Sequence, residues 1–168
     1  MSQSKRILVA VVILLVLVGA ILGMEALRRR RSALPAGDSQ ATLPPGSIPI
    51  YLDGELAGSF VPDDLSDLEQ ASFVDAEEGK TQDGWLLRDV LTIHVAPDAL
   101  APETQVTVSS SSRDKSITLT WAEVDDPANK VMFDLSSRGT VKLVSLLERF
   151  DTRDEWVQDV DRIEIAEP

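Results

Sequence analysis

Cysteine is missing from all 168 residues of the chain. Without a thiol there is no disulfide, no sulfur-ligated zinc or iron–sulfur cluster and no thiolate nucleophile, and redox compartment leaves no trace in the sequence. Histidine is nearly as scarce. His94 stands alone, and one imidazole without a thiolate or second imidazole beside it makes no transition-metal site. Aromatic residues reach only 5%, so any core has to be largely aliphatic. Basic residues are outnumbered, 16 Lys and Arg against 28 Asp and Glu, for a net charge of −12. Lys5, Arg6 and Arg28 to Arg31 all fall at or before position 31, which leaves the remainder more acidic still. Such a surface repels phosphate backbones and anionic headgroups, and nucleic acid is excluded as a partner.

Apolar sequence, by contrast, is plentiful near the amino terminus. Residues 7–24, "ILVAVVILLVLVGAILGM", run for about 18 residues without a charge, which at about 1.5 Å rise per residue covers most of a hydrocarbon core. The run predicts a single-pass transmembrane helix with the lipid bilayer as its partner. A cleaved secretory signal is the alternative, since Lys5 and Arg6 form a basic head and Val18-Gly19-Ala20 is a small-residue cleavage site. The run is long for a signal, and cleavage would leave "ILGMEALRRRR" at the new terminus. Orientation is balanced: Arg28 to Arg31 favour a cytoplasmic domain, whereas the Ala/Pro/Gly/Ser/Thr stretch "SALPAGDSQATLPPGS" reads as an extended stalk. The organisation expected is a membrane anchor with basic flanks over 1–31, a flexible stalk over 32–46, and an acidic β-rich domain over 47–168.

Within that domain, short apolar alternations are separated by turn signals. "SIPIYLDGELAGSF" predicts two strands joined at Asp53-Gly54. "VPDDLSDLEQ" predicts a short helix with Pro62 in its first turn and Leu65 and Leu68 inward. "ASFVDA" predicts a strand and "EEGKTQDG" a loop. In "GWLLRDVLTIHV", Leu86, Leu87, Val90 and Leu91 fall at helical spacing. "TQVTVSS" and "SITLTW" predict a second hairpin around "SSRDK", and "KVMFDL" and "TVKLVSLL" a third around "SSRG". The last unit, "DTRDEWVQDVDRIEI", predicts a short helix capped by Asp151 and a closing strand.

The helix starting "GWLLRDVL", the hairpin "VTVSSSSRDKSITLTW", the strands "KVMFDL" and "VKLVS" and the ending "EWVQDVDRIEI" follow a familiar order. Over residues 47–166 the chain resembles the oxidoreductase molybdopterin-binding domain of the sulfite oxidase type. Together with the apolar run, the fold class expected is α+β: an N-terminal transmembrane helix, then a mainly β domain with about three short helices, sulfite-oxidase-like as the resemblance implies. It also carries a departure. That family binds molybdenum through a cysteine thiolate and holds the pterin phosphate with basic and histidine side chains, whereas this chain has no Cys and only His94. What the resemblance implies here is a scaffold kept for binding, with no cofactor, no metal ligand and no catalysis of the molybdenum type.

Among polar residues, the run Ser109 to Ser112 with Arg113 and Lys115 stands out. Hydroxyls and a guanidinium suit an anion, and a second loop, Ser136 to Gly139, offers Arg138 if the two hairpins lie side by side. Ser111, Ser112, Arg113 and Arg138 are the candidate anion-binding residues; the alternative is a pair of solvent-exposed turns. His94, flanked by apolar residues, reads as a packed or surface side chain, because a catalytic role needs a serine and an orienting carboxylate beside it. Asp63/Asp64, Asp75/Glu77/Glu78, Asp125/Asp126 and Asp151/Asp154/Glu155 lack calcium-loop spacing and suit helix N-termini. Trp85, Trp121 and Trp156 read as core anchors. The function expected is a membrane-anchored, non-catalytic binding or accessory module with a membrane-protein partner and its domain outside the cytoplasm. The alternative is an extracytoplasmic domain that binds or senses a small anion.

Overall fold

The computed structural model describes residues 43–167. The expected transmembrane helix over 7–24 lies outside them, and among the described residues no helix is long and apolar enough to cross a membrane.

The fold grows from local hairpins. Asp53 and Gly54 both adopt positive φ, 50° and 83°, the backbone that a tight two-residue turn demands. They join β1 (Ile48–Leu52) to β2 (Glu55–Phe60). β5 (Gln105–Ser110) and β6 (Lys115–Thr120) form the second hairpin, with Val106, Val108 and Leu119 turned inward and a Thr107–Thr118 hydroxyl pair at 2.9 Å. β9 (Arg162–Ala166) then enters between the hairpins. It runs antiparallel to β5 and parallel to β1, so that Ile163 faces Val108 on one side and Ile50 on the other. The order is β2-β1-β9-β5-β6, which makes the acidic ending of the chain the central strand of a five-stranded sheet. Its alternation follows: Ile163 and Ile165 are buried, while Arg162 and Glu164 pair at 2.5 Å on the other face.

The second sheet is antiparallel throughout, in the order β3-β4-β7-β8, from β3 (Gln70–Val74), β4 (Thr81–Leu86), β7 (Met132–Leu135) and β8 (Val141–Val144). Thr81 to Gly84, read above as loop, is strand. Gly84 is there because a Cβ at this position would lie 2.0 Å from the Phe133 carbonyl oxygen across the β4–β7 ladder. α1 (Leu87–His94) follows β4 directly and buries Leu87, Val90 and Leu91. α2 (Trp121–Asp125) starts at a capping box in which Thr120 accepts from the Glu123 N–H and Glu123 accepts from the Thr120 N–H. One core joins both sheets, and the Phe60 and Phe133 rings meet across it at 5.8 Å. Trp85, Trp121 and Trp156 are all buried in it.

The expected α+β class is corrected. The described residues form a mainly β domain of nine strands in two sheets, with α-helices of only eight and five residues. The reason lies in segment length: a helix nucleus fixes several residues for each first hydrogen bond, and short segments do not recover that cost. Pro62–Asp67 is instead a 3-10 turn with the Val61 N–H on the Asp64 carboxylate at 2.9 Å. The expected terminal helix reduces to the 3-10 turn Arg153–Glu155, with Thr152 rather than Asp151 at its N-cap, and a further 3-10 turn, Glu148–Phe150, precedes it.

Candidate functional site

The turns of the β5–β6 and β7–β8 hairpins come together at one end of the domain, around the residues that precede β9. Asp159, in left-handed conformation at φ 55°, is the centre. Arg113 donates to its Oδ2 from Nε and Nη2, both at 2.7 Å. Thr140 Oγ1 donates to Oδ1 at 2.7 Å, and Arg138 Nη2 does so at 3.3 Å. The Thr140 hydroxyl first, and Arg113 second, hold the Asp159 carboxyl below the usual carboxylate range. Ser111 gives its N–H to Asp161 Oδ2 at 2.8 Å and its hydroxyl to the same oxygen. Ser112 pairs with the Ser110 hydroxyl at 3.3 Å. The structure thus brings Ser111, Arg113 and Arg138 together, and the anions among them are the chain's own Asp159 and Asp161. Those two acids and Thr140 were not among the sequence candidates. The signal for them was present in "QDVDR", where two acids precede an apolar alternation that has to pair beside the Ser/Arg turn.

Next to this clasp, Arg113, Lys115, Arg153, Asp154, Trp156 and Gln158 line a cleft of about 220 Å³. Trp156 is buried and donates from Nε1 to the Phe150 carbonyl at 3.0 Å. The Lys142 ammonium and the Arg153 guanidinium lie 5.0 and 5.5 Å from its ring centre. Behind the ring runs a polar chain: Lys142 contacts Asp134 at 2.8 Å and the Gln82 carbonyl oxygen at 3.0 Å, and the Gln82 amide donates to Asp75 at 2.8 Å. Asp75 is held below the usual range chiefly by the Glu78 N–H. Arg153 reaches Glu78 at 2.9 Å, yet its buried Nε has no acceptor among the described residues.

A third feature lies at α1. Phe60, Leu65, Leu68, Val90 and Ile93 line a groove of about 250 Å³ together with His94, Asp64 and Asp67. Ile93 is 62% exposed above it and, with Val74 at 60%, is the most exposed of the large hydrophobic side chains among the described residues. The His94 ring packs on Gly58, where a Cβ would lie 2.5 Å from Nδ1. Burial lowers the His94 pKa, and Asp64 opposes that shift. No serine lines the groove; nearby Ser66 gives its hydroxyl to the Asp63 carbonyl at 2.8 Å. The other carboxylate clusters mostly hold backbone: Asp75 takes the Glu78 N–H, Asp126 that of Ala128 and Glu155 that of Thr152. Among the described residues no three His, Asp or Glu side chains are grouped to hold a metal ion.

No protein-family model matches the chain, and no curated protein matches it in sequence. Its function is therefore read from its own geometry.

Proposed function

We propose that the chain is a membrane-tethered, non-catalytic interaction module, whose acidic β domain receives a basic, apolar-faced segment of a membrane-protein partner in the groove beside α1. One observation carries this reading: Ile93 stands open over a floor of Phe60, Leu65, Leu68 and Val90, with Asp64 and Asp67 in the lining. Aliphatic floor and acidic rim together suit a partner segment that alternates apolar and basic residues. The apolar run at 7–24 supports attachment to the bilayer, and the stalk composition supports a domain held outside the cytoplasm. A small anion bridging the Arg113 and Arg138 loops is the weaker reading, because Asp159 already lies between those two guanidiniums and Asp161 takes the Ser111 donors.

Magnitudes fit a tethered contact. Fully burying one aliphatic side chain contributes about 1.5–3 kcal/mol, against about 8 kcal/mol for micromolar affinity. Ile93 is then the anchor of a larger face, and confinement of both partners to one bilayer supplies effective concentration. The test is a photoreactive amino acid at position 93 in the full chain in its own membrane, with position 116 on the exposed outer strand β6 as control. A discrete adduct at 93 only, lost in the Asp64→Asn/Asp67→Asn double variant, is expected. Adducts of equal yield at both positions, or at neither, refute the proposal.

A further inference from the structure

The cleft beside Trp156 is a concentration of positive charge on a chain of net charge −12. Its three cations come from two segments: Arg113 and Lys115 from the β5–β6 turn and the strand that leaves it, and Arg153 from the 3-10 turn before Trp156. Each has more donors than the protein supplies with acceptors. A guanidinium carries five N–H donors and an ammonium three. Arg113 spends Nε and Nη2 on Asp159. Lys115 has one protein acceptor, the Asp154 carbonyl. Arg153 directs Nη2 at Glu78, 2.9 Å away, and more distantly at Asp75, while its buried Nε has no hydrogen-bond partner among the described residues. A buried N–H without an acceptor is uncommon and costly. Asp154 is the only carboxylate in the lining.

We propose that this cleft binds a phosphate group, held by Arg113, Lys115 and Arg153 against the edge of Trp156. The inference is independent of the groove beside α1 and of the partner proposed for it. Three cations on one small cleft suit a multiply charged anion better than a planar carboxylate, which a single guanidinium already satisfies in bidentate fashion. Size points the same way: about 220 Å³ is below the roughly 300–1,000 Å³ of sites that engulf drug-sized ligands. The cleft takes a free phosphate or the phosphate end of something larger, including a lipid headgroup. An acidic domain repels an extended anionic surface, which favours the free group.

The experiment follows the Trp156 indole N–H resonance in the ¹⁵N-Trp-labelled full chain, assigned with Trp156→Phe. The chain is held in maltoside micelles, which contain no phosphate. One arm titrates inorganic phosphate against potassium chloride at matched ionic strength; the other dopes the micelles with phosphatidylglycerol. A saturable shift with phosphate that chloride does not reproduce is expected, weakened about tenfold or more by Lys115→Gln and by Arg153→Gln. Lys115→Gln keeps the test valid if Arg153→Gln disturbs the fold. A shift in the lipid arm alone assigns the phosphate to a headgroup. No saturable shift in either arm, or one that both variants leave unchanged, overturns the proposal.

Discussion

Replacing Asp159 by Asn isolates what the clasp between the two hairpins contributes. Asn tolerates the left-handed backbone at this position and keeps the side-chain volume, so the change removes the charge and turns one of the two acceptor oxygens into an NH2 donor. The wild-type carboxylate accepts two bonds from Arg113, one from Thr140 and a long one from Arg138. Hydrogen bonds to a charged group contribute about 1.5–3 kcal/mol when shielded, and exposed ion pairs only about 0.2–1 kcal/mol. Asp159 is 19% exposed, Arg113 45% and Arg138 63%, so the Thr140 bond counts nearly in full, Arg113 in part and Arg138 hardly at all. The expected loss is about 2 kcal/mol, or roughly 8 °C in melting temperature for a domain of this size. Because the folded pKa of Asp159 is depressed, its contribution is present above the ordinary 3.8 and is lost as pH falls through the folded value. Melting followed by near-ultraviolet circular dichroism of the full chain, at neutral pH and again in acid, measures both. A neutral-pH difference under about 0.5 kcal/mol, within the usual range for a surface substitution, would refute the argument.

Other perturbations read out separate parts of the fold. The Arg149 fork at 2.6 and 2.7 Å pulls the Glu123 pKa from 4.5 to about 2. Its stabilisation is complete above pH 4.5 and disappears as pH falls to about 2, so Glu123→Gln should lower stability at neutral pH and cease to matter in strong acid. Urea midpoints across that window check the sign. Gly84→Ala drives a methyl into the Phe133 carbonyl and should cost about 3 kcal/mol or more, whereas Gly58→Ala meets the His94 side chain, with Nδ1 at 2.5 Å and Cβ at 3.0 Å, and should cost less, about 1–2 kcal/mol. Chemical denaturation of the two variants side by side tests that order.

Much of the fold was legible in short-range chemistry. Asp53-Gly54, the Ser/Arg turn after Ser110 and "SSRG" each announce a hairpin, and all three form. "TQDG" misled because its residue types favour turns, while Gly84 is dictated by a backbone that approaches from β7. The helices before Gln70 and Trp156 were overestimated because capping signals mark a start and say nothing of length. The placement of β9 beside β1, and of Asp159 on an arginine 46 residues earlier, are long-range pairings that periodicity does not encode. Of the candidate anion residues Ser111, Arg113 and Arg138 converge, whereas Ser112 pairs with Ser110, and Asp159, Asp161 and Thr140 join them through long-range contacts that local sequence does not announce.

In the proposed function, a basic partner segment covers the groove beside α1 in the membrane. Because the chain has no cysteine, Ile93→Cys introduces a single thiol at the centre of that groove. The decisive measurement is its maleimide labelling rate in native membranes, relative to Ser116→Cys, at low and high salt. Strong protection at position 93 that is relieved by salt, with position 116 labelled freely throughout, is the expected result. Equal and salt-independent labelling at both positions would contradict it.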